Sequence, residues 1–354
     1  MGYLYKKTKF SCMFRTNLRY NLEEITENIR HADDSNNSVA YLLGKGYPLS
    51  TNGIENTEEV DKMTKRFSDI IWFSYRRNFP KLNYEVNPQA QSYVNDTSWG
   101  CMIRACQMMF AECLRRYFAS INEEEKGSKR QIIEWFLDTE VDPKKAPYSI
   151  QNICRYLNKH FNLGAGQWLK SSNVLFALQG IQKEYGKITA EKLETEIYIE
   201  STIYVTNALK KMVDEDIIVV DTDDDEEEDE NKKVKLTQIT SESQSMLRVS
   251  DVNFDHHNES GNITSVYLET PKEIENLLKH KWDGSLAIFI LAKTGLDKPN
   301  PEYDPFVKEL LSYHESIGMI AGKPGLAYYI VGYTGDKLMY FDPHFVQVII
   351  LGKF

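Results

Sequence analysis

Residues 95–104 read Asn-Asp-Thr-Ser-Trp-Gly-Cys-Met-Ile-Arg, and they predict a tight loop that delivers a cysteine to the first turn of a helix. The first four residues are all types that cap helices, and Gly100 allows the backbone a sharp approach. After the loop, apolar residues recur at the i, i+4, i+7 spacing of a helix that buries one face. This apolar stripe comprises Met102, Cys106, Met109, Phe110, Cys113, Leu114 and Tyr117.

Cys101 stands where a nucleophile would be placed. At a helix N-terminus, the dipole and the free N–H groups favour a thiolate, and the same N–H groups can hold an oxyanion. The alternative is a structural role, because most single cysteines in intracellular proteins are small buried hydrophobes. Cys106 and Cys113 lie on the apolar stripe and are expected to be of that kind. Without a base, the local pattern does not decide between the two roles of Cys101.

A candidate base comes from the other end of the chain. Leu326–Tyr333 is an apolar, aromatic strand, Gly335-Asp336 is a two-residue hairpin signal, and Lys337–Phe341 returns as a second strand. Asp342 and His344 follow at once, and residues two apart in an extended chain point to the same side. A carboxylate beside an imidazole fixes its tautomer and supports the imidazolium. The alternative is a strand-end turn with a solvated aspartate and histidine.

These two segments together resemble the autophagy-related protein 4 family of cysteine endopeptidases. The resemblance rests on Asp-Thr-Ser-Trp-Gly-Cys-Met-Ile-Arg at 96–104 and Tyr-Phe-Asp-Pro-His at 340–344. It implies a papain-like fold, an α/β architecture in which a nucleophile helix packs on a mainly antiparallel sheet. Further matching blocks, which extend the resemblance over most of the chain, lie at 42–45, 71–80, 166–168 and 317–324.

The resemblance also implies roles for particular residues. Cys101 would be the nucleophile, His344 its base and Asp342 the residue that orients His344. Tyr75 would donate its hydroxyl to the oxyanion hole, although packing is the expected role of this tyrosine without the resemblance. Trp168 would lie over the cleft and, with a loop containing Gly322, Lys323 and Pro324, clamp the extended tail of the substrate.

The substrate that the resemblance implies is a ubiquitin-like autophagy modifier. Cleavage after its C-terminal glycine would both process the precursor and release the modifier from phosphatidylethanolamine. The membrane surface would then be a transient partner. Three alternatives stay open: a protease for the ubiquitin-fold modifier, an inactive module that binds the modifier, and a transglutaminase-like acyl transferase with the same Cys-His-Asp set.

Composition excludes several other classes of function. The 354 residues, 42% of them hydrophobic, suffice for one large domain with a core. The net charge of −10 and the pI near 5.4 argue against nucleic acid as a partner. We expect no metal and no cofactor, since the cysteines show neither a Cys-x-x-Cys pair nor zinc spacing with the histidines. A cytoplasmic location follows from this cysteine usage and from the lack of an apparent leader or membrane-spanning stretch. The cysteines are Cys12, Cys101, Cys106, Cys113 and Cys154.

The predicted domain organisation has three parts. Residues 1–37 read as a mobile arm, and residues 38–354 as the catalytic domain, interrupted by a disordered acidic and polar insertion at 221–262. The chain ends at Phe354, ten residues after His344, so we expect either a truncated sequence or the loss of C-terminal strands. Further predicted elements are helices over Glu58–Phe79, Gln131–Phe161, Ile274–Lys281 and Tyr303–Tyr313, and strands over Glu194–Asn207 and Leu286–Ala292, the last covered on both faces.

Two positions depart from the pattern of the family. Ser98 stands where the family usually has glycine, and a serine there is strained if the position needs a positive φ. Tyr328 replaces a common histidine in the strand before the hairpin.

Overall fold

The computed structural model describes residues 38–51, 54–82, 93–139, 142–199, 202–203, 247–248, 284–294, 300–323 and 325–348. Within this part of the chain, residues up to Thr189 and from Thr294 onward form one compact unit, and those between Ala190 and Lys293 form a second. The predicted arm, the helix expected at Ile274–Lys281, Cys12 and Pro324 lie outside the described residues, as does the predicted insertion at 221–262 apart from Leu247 and Arg248.

Several of the described helices begin at polar caps and bury apolar faces. The side chain of Asn56 accepts a hydrogen bond from the Glu59 N–H, and Ser149 does the same for Asn152, so each satisfies a free donor of a first turn. The described helices are α1 (Thr57–Asp69), α2 (Cys101–Ser120), α3 (Lys129–Glu134), α4 (Ile150–Phe161), α5 (Ser171–Tyr185), a 3₁₀ turn (Pro301–Tyr303) and α6 (Asp304–Ser312). The 3₁₀ turn and α6 account for the helix expected at Tyr303–Tyr313.

Helix α2 is the centre of the first unit. Every residue from Cys101 to Leu114 is buried, so the expectation that this helix buries only one face is wrong. Its polar residues tolerate burial because they are paired: Arg104 contacts two carboxylates, and Glu112 contacts three arginines. The helix is thus enclosed, and its first residue is held inside the protein.

A five-stranded sheet supports this helix, and α2 packs against its long strand, Leu326–Thr334. That strand pairs antiparallel with Met319–Lys323, Val39–Leu42 and Lys337–Phe341, as the nucleophile-helix architecture predicts. In chain order the strands are β1 (Val39–Leu42), β2 (Lys45–Pro48), β3 (Ser50–Thr51), β4 (Ile54–Glu55), β5 (Arg76–Leu82), β6 (Tyr93–Asn95), β7 (Leu193–Ile199), β8 (Thr202–Ile203), β9 (Leu247–Arg248), β10 (Ser285–Leu291), β11 (Met319–Lys323), β12 (Leu326–Thr334), β13 (Lys337–Phe341) and β14 (Gln347–Val348).

The helix predicted over Glu58–Phe79 is too long. Helix α1 ends at Asp69, and Ile70 already has extended backbone, with φ −66° and ψ 134°. Consecutive side chains beyond this point are buried, among them Phe73, Ser74 and Tyr75. A helix that is buried on one side only leaves some of any three consecutive side chains exposed, whereas an extended segment inside the protein can bury side chains on both of its faces. The chain then continues as β5, which pairs with β6 and β14.

Three other predicted elements also differ in extent. The helical region expected over Gln131–Phe161 is two helices, α3 and α4, because Pro143 and Pro147 interrupt the pattern between them. The strand expected over Glu194–Asn207 is seen as β7 and the short β8, and residues 204–207 lie outside the described residues. In the second unit, β10 pairs parallel with β7. Its outward residues Ile288 and Ile290 are 39% and 38% exposed, so the expected burial of both faces is wrong.

Candidate active site

The loop before α2 places Cys101 as the first residue of that helix, where it is 1% exposed. The side-chain capping expected from residues 95–98 is not found. The N-cap residue is Gly100, which has no side chain to accept a hydrogen bond from the first turn. The loop is instead closed by its backbone: the N–H groups of Trp99 and Gly100 donate to the Asp96 carbonyl at 3.3 and 2.8 Å. The N–H of Cys101 itself lies in the first turn, where N–H groups lack intrahelical acceptors.

Ser98 and Gly100 have different functions in this loop. Ser98 has a φ of 73°, so the positive φ lies on the residue that replaces the glycine usual in the family. Gly100 has an ordinary φ of −85°. Glycine is required at position 100 because a Cβ there would lie 2.6 Å from both the Cβ and the Oδ2 of Asp96, which is too close for a larger residue.

The residues after β13 form a close acid–imidazole pair. His344 Nδ1 lies 2.5 Å from Asp342 Oδ1, and the His344 backbone N–H donates to the same oxygen at 2.8 Å. Because a carboxylate accepts, Nδ1 carries the proton and Nε2 is left as the acceptor. Nε2 is buried and has no hydrogen-bond partner among the described residues. Trp72, in the extended segment that follows α1, donates from Nε1 to the Asp342 carbonyl at 2.9 Å and so helps to fix the position of the Asp342–His344 pair.

Two tyrosine rings hold the imidazole edge to face. The Tyr75 ring lies 5.6 Å from that of His344 at 85°, and the Tyr328 ring lies 5.4 Å away at 67°. The Tyr75 N–H also donates to the Pro343 carbonyl at 2.9 Å, which ties this segment to the Asp-Pro-His turn. Tyr328, the second departure from the family, therefore lies directly against His344.

The electrostatics place Cys101 in the same cluster. Burial raises the pKa of Tyr75 well above its usual value, and its interactions with Cys101 raise this pKa further. Asp342 and Cys101 both raise the pKa of Tyr328, after burial. Tyr75 therefore links Cys101 to the Asp342–His344 pair. The structure brings together Cys101, Asp342, His344 and Tyr75.

Trp168 bridges the nucleophile loop and the β11–β12 hairpin. Its ring is 66% exposed, and its Nε1 donates to the Ser98 carbonyl at 3.1 Å. A Cβ on Gly325 would lie 3.5 Å from Trp168 Cε2, so the ring covers the hairpin turn. Gly322 has a φ of 149° and pairs with Ala327, while Lys323 pairs with Leu326 through its backbone. Pro324, the fourth residue expected here, lies outside the described residues.

Sequence reasoning did not identify a buried ion triad beneath the nucleophile loop. Arg104 Nε lies 2.6 Å from Asp96 Oδ2, and Arg104 Nη1 lies 2.8 Å from Asp138 Oδ2. The available signal was the presence of charged residues in a segment that is otherwise apolar. Burial, and after it the charge of Arg104, lower the pKa of the neighbouring Arg76 to about 10.

The remaining cysteines of the described chain are structural. Cys106, Cys113 and Cys154 are buried, and none of them forms a disulfide with another described cysteine. Burial raises the pKa of Cys113 to about 12 and also raises that of Cys106, so both remain thiols. Among the described residues, no group of three acidic, cysteine or histidine side chains could hold a metal ion. In the same part of the chain, every helix is too short or too polar to cross a bilayer.

Comparison with known proteins gives consistent matches. Residues 60–352 match the peptidase C54 catalytic domain. "Cysteine protease ATG4A" of Oryza sativa subsp. japonica is 25% identical over 322 residues, which cover 88% of this chain and 56% of that protein. "Cysteine protease ATG4b" of Arabidopsis thaliana is 26% identical, over 90% of this chain and 57% of its own. "Cysteine protease ATG4A" of Homo sapiens is 25% identical, over 88% of this chain and 65% of its own. The chain therefore spans 56–65% of the length of these relatives.

Proposed function

Because the chain belongs to the peptidase C54 family of cysteine proteases, we propose that it is a cysteine endopeptidase of the autophagy pathway. Its substrate is a ubiquitin-like autophagy modifier, which it cleaves after the C-terminal glycine. One observation carries the proposal: Tyr75 packs against an aspartate-bound His344 whose Nε2 has no partner among the described residues, and the same tyrosine interacts with Cys101 at the start of α2. Nucleophile, base and orienting carboxylate are the parts that acyl transfer needs.

The first half of the reaction forms an acyl-enzyme. His344 Nε2 takes the proton of the Cys101 thiol, and Asp342 holds the imidazolium through Nδ1. The sulfur attacks the glycine carbonyl, and the oxyanion is bound by the Cys101 N–H and the Tyr75 hydroxyl. When the intermediate collapses, the C–N bond breaks, the imidazolium protonates the leaving amine, and a thioester to Cys101 remains.

The second half releases the modifier. Water attacks the thioester carbonyl while His344 accepts a proton from it, and the returned proton regenerates the Cys101 thiol. The leaving amine belongs to a residue beyond the glycine in the precursor, and to the ethanolamine headgroup in the lipid conjugate. Both bonds are amides of the same glycine, so one site serves processing and delipidation. The enzyme works in the cytoplasm and contacts the membrane surface only while it acts on the conjugate.

Glycine specificity follows from the cover over the cleft. Trp168 is held between the Ser98 carbonyl and the hairpin turn at Gly325. A cleft roofed by this ring admits an extended tail without side chains and excludes branched residues. Gly322, Lys323 and Pro324 are the other residues assigned to binding the substrate tail. The catalytic domain of this proposal spans residues 38–354, with 221–262 as an insertion and 1–37 as an arm.

Intact-mass analysis tests the proposal. The ubiquitin-like autophagy modifier, carrying a C-terminal extension, is incubated with the wild-type protein, with Cys101→Ala and with the matched control Cys154→Ala, which alters another buried cysteine. Wild type and the control should both cleave after the glycine, whereas Cys101→Ala should bind the modifier without cleaving it. Cleavage by Cys101→Ala would refute the assignment of the nucleophile. Binding without cleavage by the wild type would identify an inactive modifier-binding module. Cleavage of the ubiquitin-fold modifier alone would reassign the substrate.

A further inference from the structure

Asp96 is a fully buried carboxylate that the proposed mechanism does not use. It is 0% exposed and lies five positions before Cys101 in the chain. A buried carboxylate is costly unless its oxygens accept hydrogen bonds or meet a cation. Both oxygens of Asp96 are engaged, and each one reaches a different part of the site.

One oxygen of Asp96 holds the strand that follows Tyr75. Oδ1 accepts the Arg76 N–H at 2.6 Å, and the Asp96 N–H donates back to the Arg76 carbonyl at 3.2 Å. This pair of hydrogen bonds fixes the backbone one residue after Tyr75. The position of the Tyr75 hydroxyl therefore depends on the nucleophile loop, not only on its own strand.

The other oxygen of Asp96 holds the first turn of α2. Oδ2 accepts from Arg104 Nε at 2.6 Å, three residues after Cys101. The Asp96 carbonyl accepts the N–H groups of Trp99 and Gly100, and its side chain fills the space where a Cβ of Gly100 would lie. Asp96 thus contacts the backbone just before Cys101 and the Arg104 side chain three residues after it.

We propose that Asp96 is a positioning residue, which sets the separation between the Cys101 N–H and the Tyr75 hydroxyl. These are the two donors assigned to the oxyanion, so this inference rests on the proposed function. Misplacement by about 1 Å of groups that act on a reacting atom costs roughly 100-fold in rate. Loss of Asp96 therefore lowers kcat and leaves binding of the modifier body, and with it KM, nearly unchanged.

Asp138 provides a matched control. It pairs with the same guanidinium, through Arg104 Nη1 at 2.8 Å, and it is also buried. Its other oxygen accepts from the Ile150 N–H, at the start of α4 and not in the nucleophile loop. Asp96→Asn and Asp138→Asn each leave one carboxylate against Arg104, so they remove the same charge from the same triad.

The experiment measures kcat and KM for the extended modifier with the full chain and with the variants Asp96→Asn, Asp96→Ala and Asp138→Asn. Asp96→Ala should lower kcat about 100-fold and Asp96→Asn, which keeps an acceptor for the Arg76 N–H, about 10-fold. Asp138→Asn should stay within about three-fold of wild type, even where its thermal midpoint falls as far as that of Asp96→Asn. Equal losses of kcat in the two asparagine variants, or a raised KM with unchanged kcat, would overturn the inference.

A substrate-free measurement separates this inference from the proposed function. Asp96 acts by holding the loop that carries both the Cys101 thiol and the Cys101 N–H. The rate of Cys101 alkylation by iodoacetamide at pH 7, followed by peptide mass analysis, reports how that loop is placed relative to His344. Asp96→Ala should slow alkylation about 10-fold, and Asp138→Asn should leave it within about two-fold. If the wild type does not cleave the modifier, the proposed function fails, and these rates still decide the role of Asp96. Equal rates in Asp96→Ala and wild type would refute it. If Asp96→Ala does not fold, Asp96→Asn takes its place in both assays.

Discussion

Replacing Ser98 by glycine should stabilise the protein, because Ser98 holds a φ of 73° that an L-residue adopts at a cost. The left-handed conformation costs a residue with a Cβ roughly 1–2 kcal/mol. Glycine offsets roughly 0.4–1 kcal/mol of this gain, because its greater conformational freedom stabilises the unfolded chain. The side chain of Ser98 is exposed, and the hydrogen bond from Trp168 Nε1 is accepted by its backbone carbonyl, which the substitution keeps. The net gain is about 0.5–1 kcal/mol.

Thermal unfolding checks this value, with Ser98→Ala as the matched control. Alanine also removes the hydroxyl but keeps the Cβ, so its free energy of unfolding should stay within about 0.5 kcal/mol of wild type. Ser98→Gly should raise Tm by about 1–4 °C. A glycine variant no more stable than the alanine variant would show that the loop is not strained at Ser98.

Three further predictions concern single residues. Tyr75→Phe keeps the buried ring but removes one oxyanion donor, so kcat measured in single turnover should fall about 100-fold or more while modifier binding is unchanged. Burial raises the pKa of Glu112, but its hydrogen bond from Arg115 and nearby arginine charges outweigh burial and lower it below the usual 4.5. The stabilising effect of the ionised Glu112 is therefore complete above pH 4.5 and is lost as the pH falls further. Glu112→Gln should lower the free energy of unfolding by about 2–4 kcal/mol at pH 7, measured by denaturant unfolding, and the difference from wild type should disappear in acid. Trp168→Ala should lower discrimination against an alanine in place of the scissile glycine, measured as the ratio of kcat/KM values for the two substrates.

The hairpin and the start of the nucleophile helix could be predicted because local chemistry specifies them. Gly335-Asp336 allows the tight turn between β12 and β13, and the Asp342–His344 contact follows from alternation along extended backbone. The matches over residues 60–352 confirm the family that these segments resemble, and with it the papain-like α/β fold. These features depend on residues close to one another in the chain.

The rest of the site depends on partners that are distant in the chain. The extended segment after Asp69 is selected by burial and by the pairing of β5 with β14, which lies about 270 residues later. The pairing of Arg104 with Asp138 joins a helix to a turn beyond it, and no periodicity in the sequence indicates that contact. Helix propensity in the segment 70–79 is a weak preference that such tertiary contacts override.

Acid-quenched intact-mass analysis tests most directly whether Cys101 carries the acyl group. During turnover of the extended modifier, a transient species should appear at the mass of this protein plus the processed modifier minus one water. It should map to the Cys101 peptide, be released by hydroxylamine, be absent in Cys101→Ala and persist in Cys154→Ala. Processed modifier that accumulates without this adduct, or an adduct on another cysteine, would contradict the account.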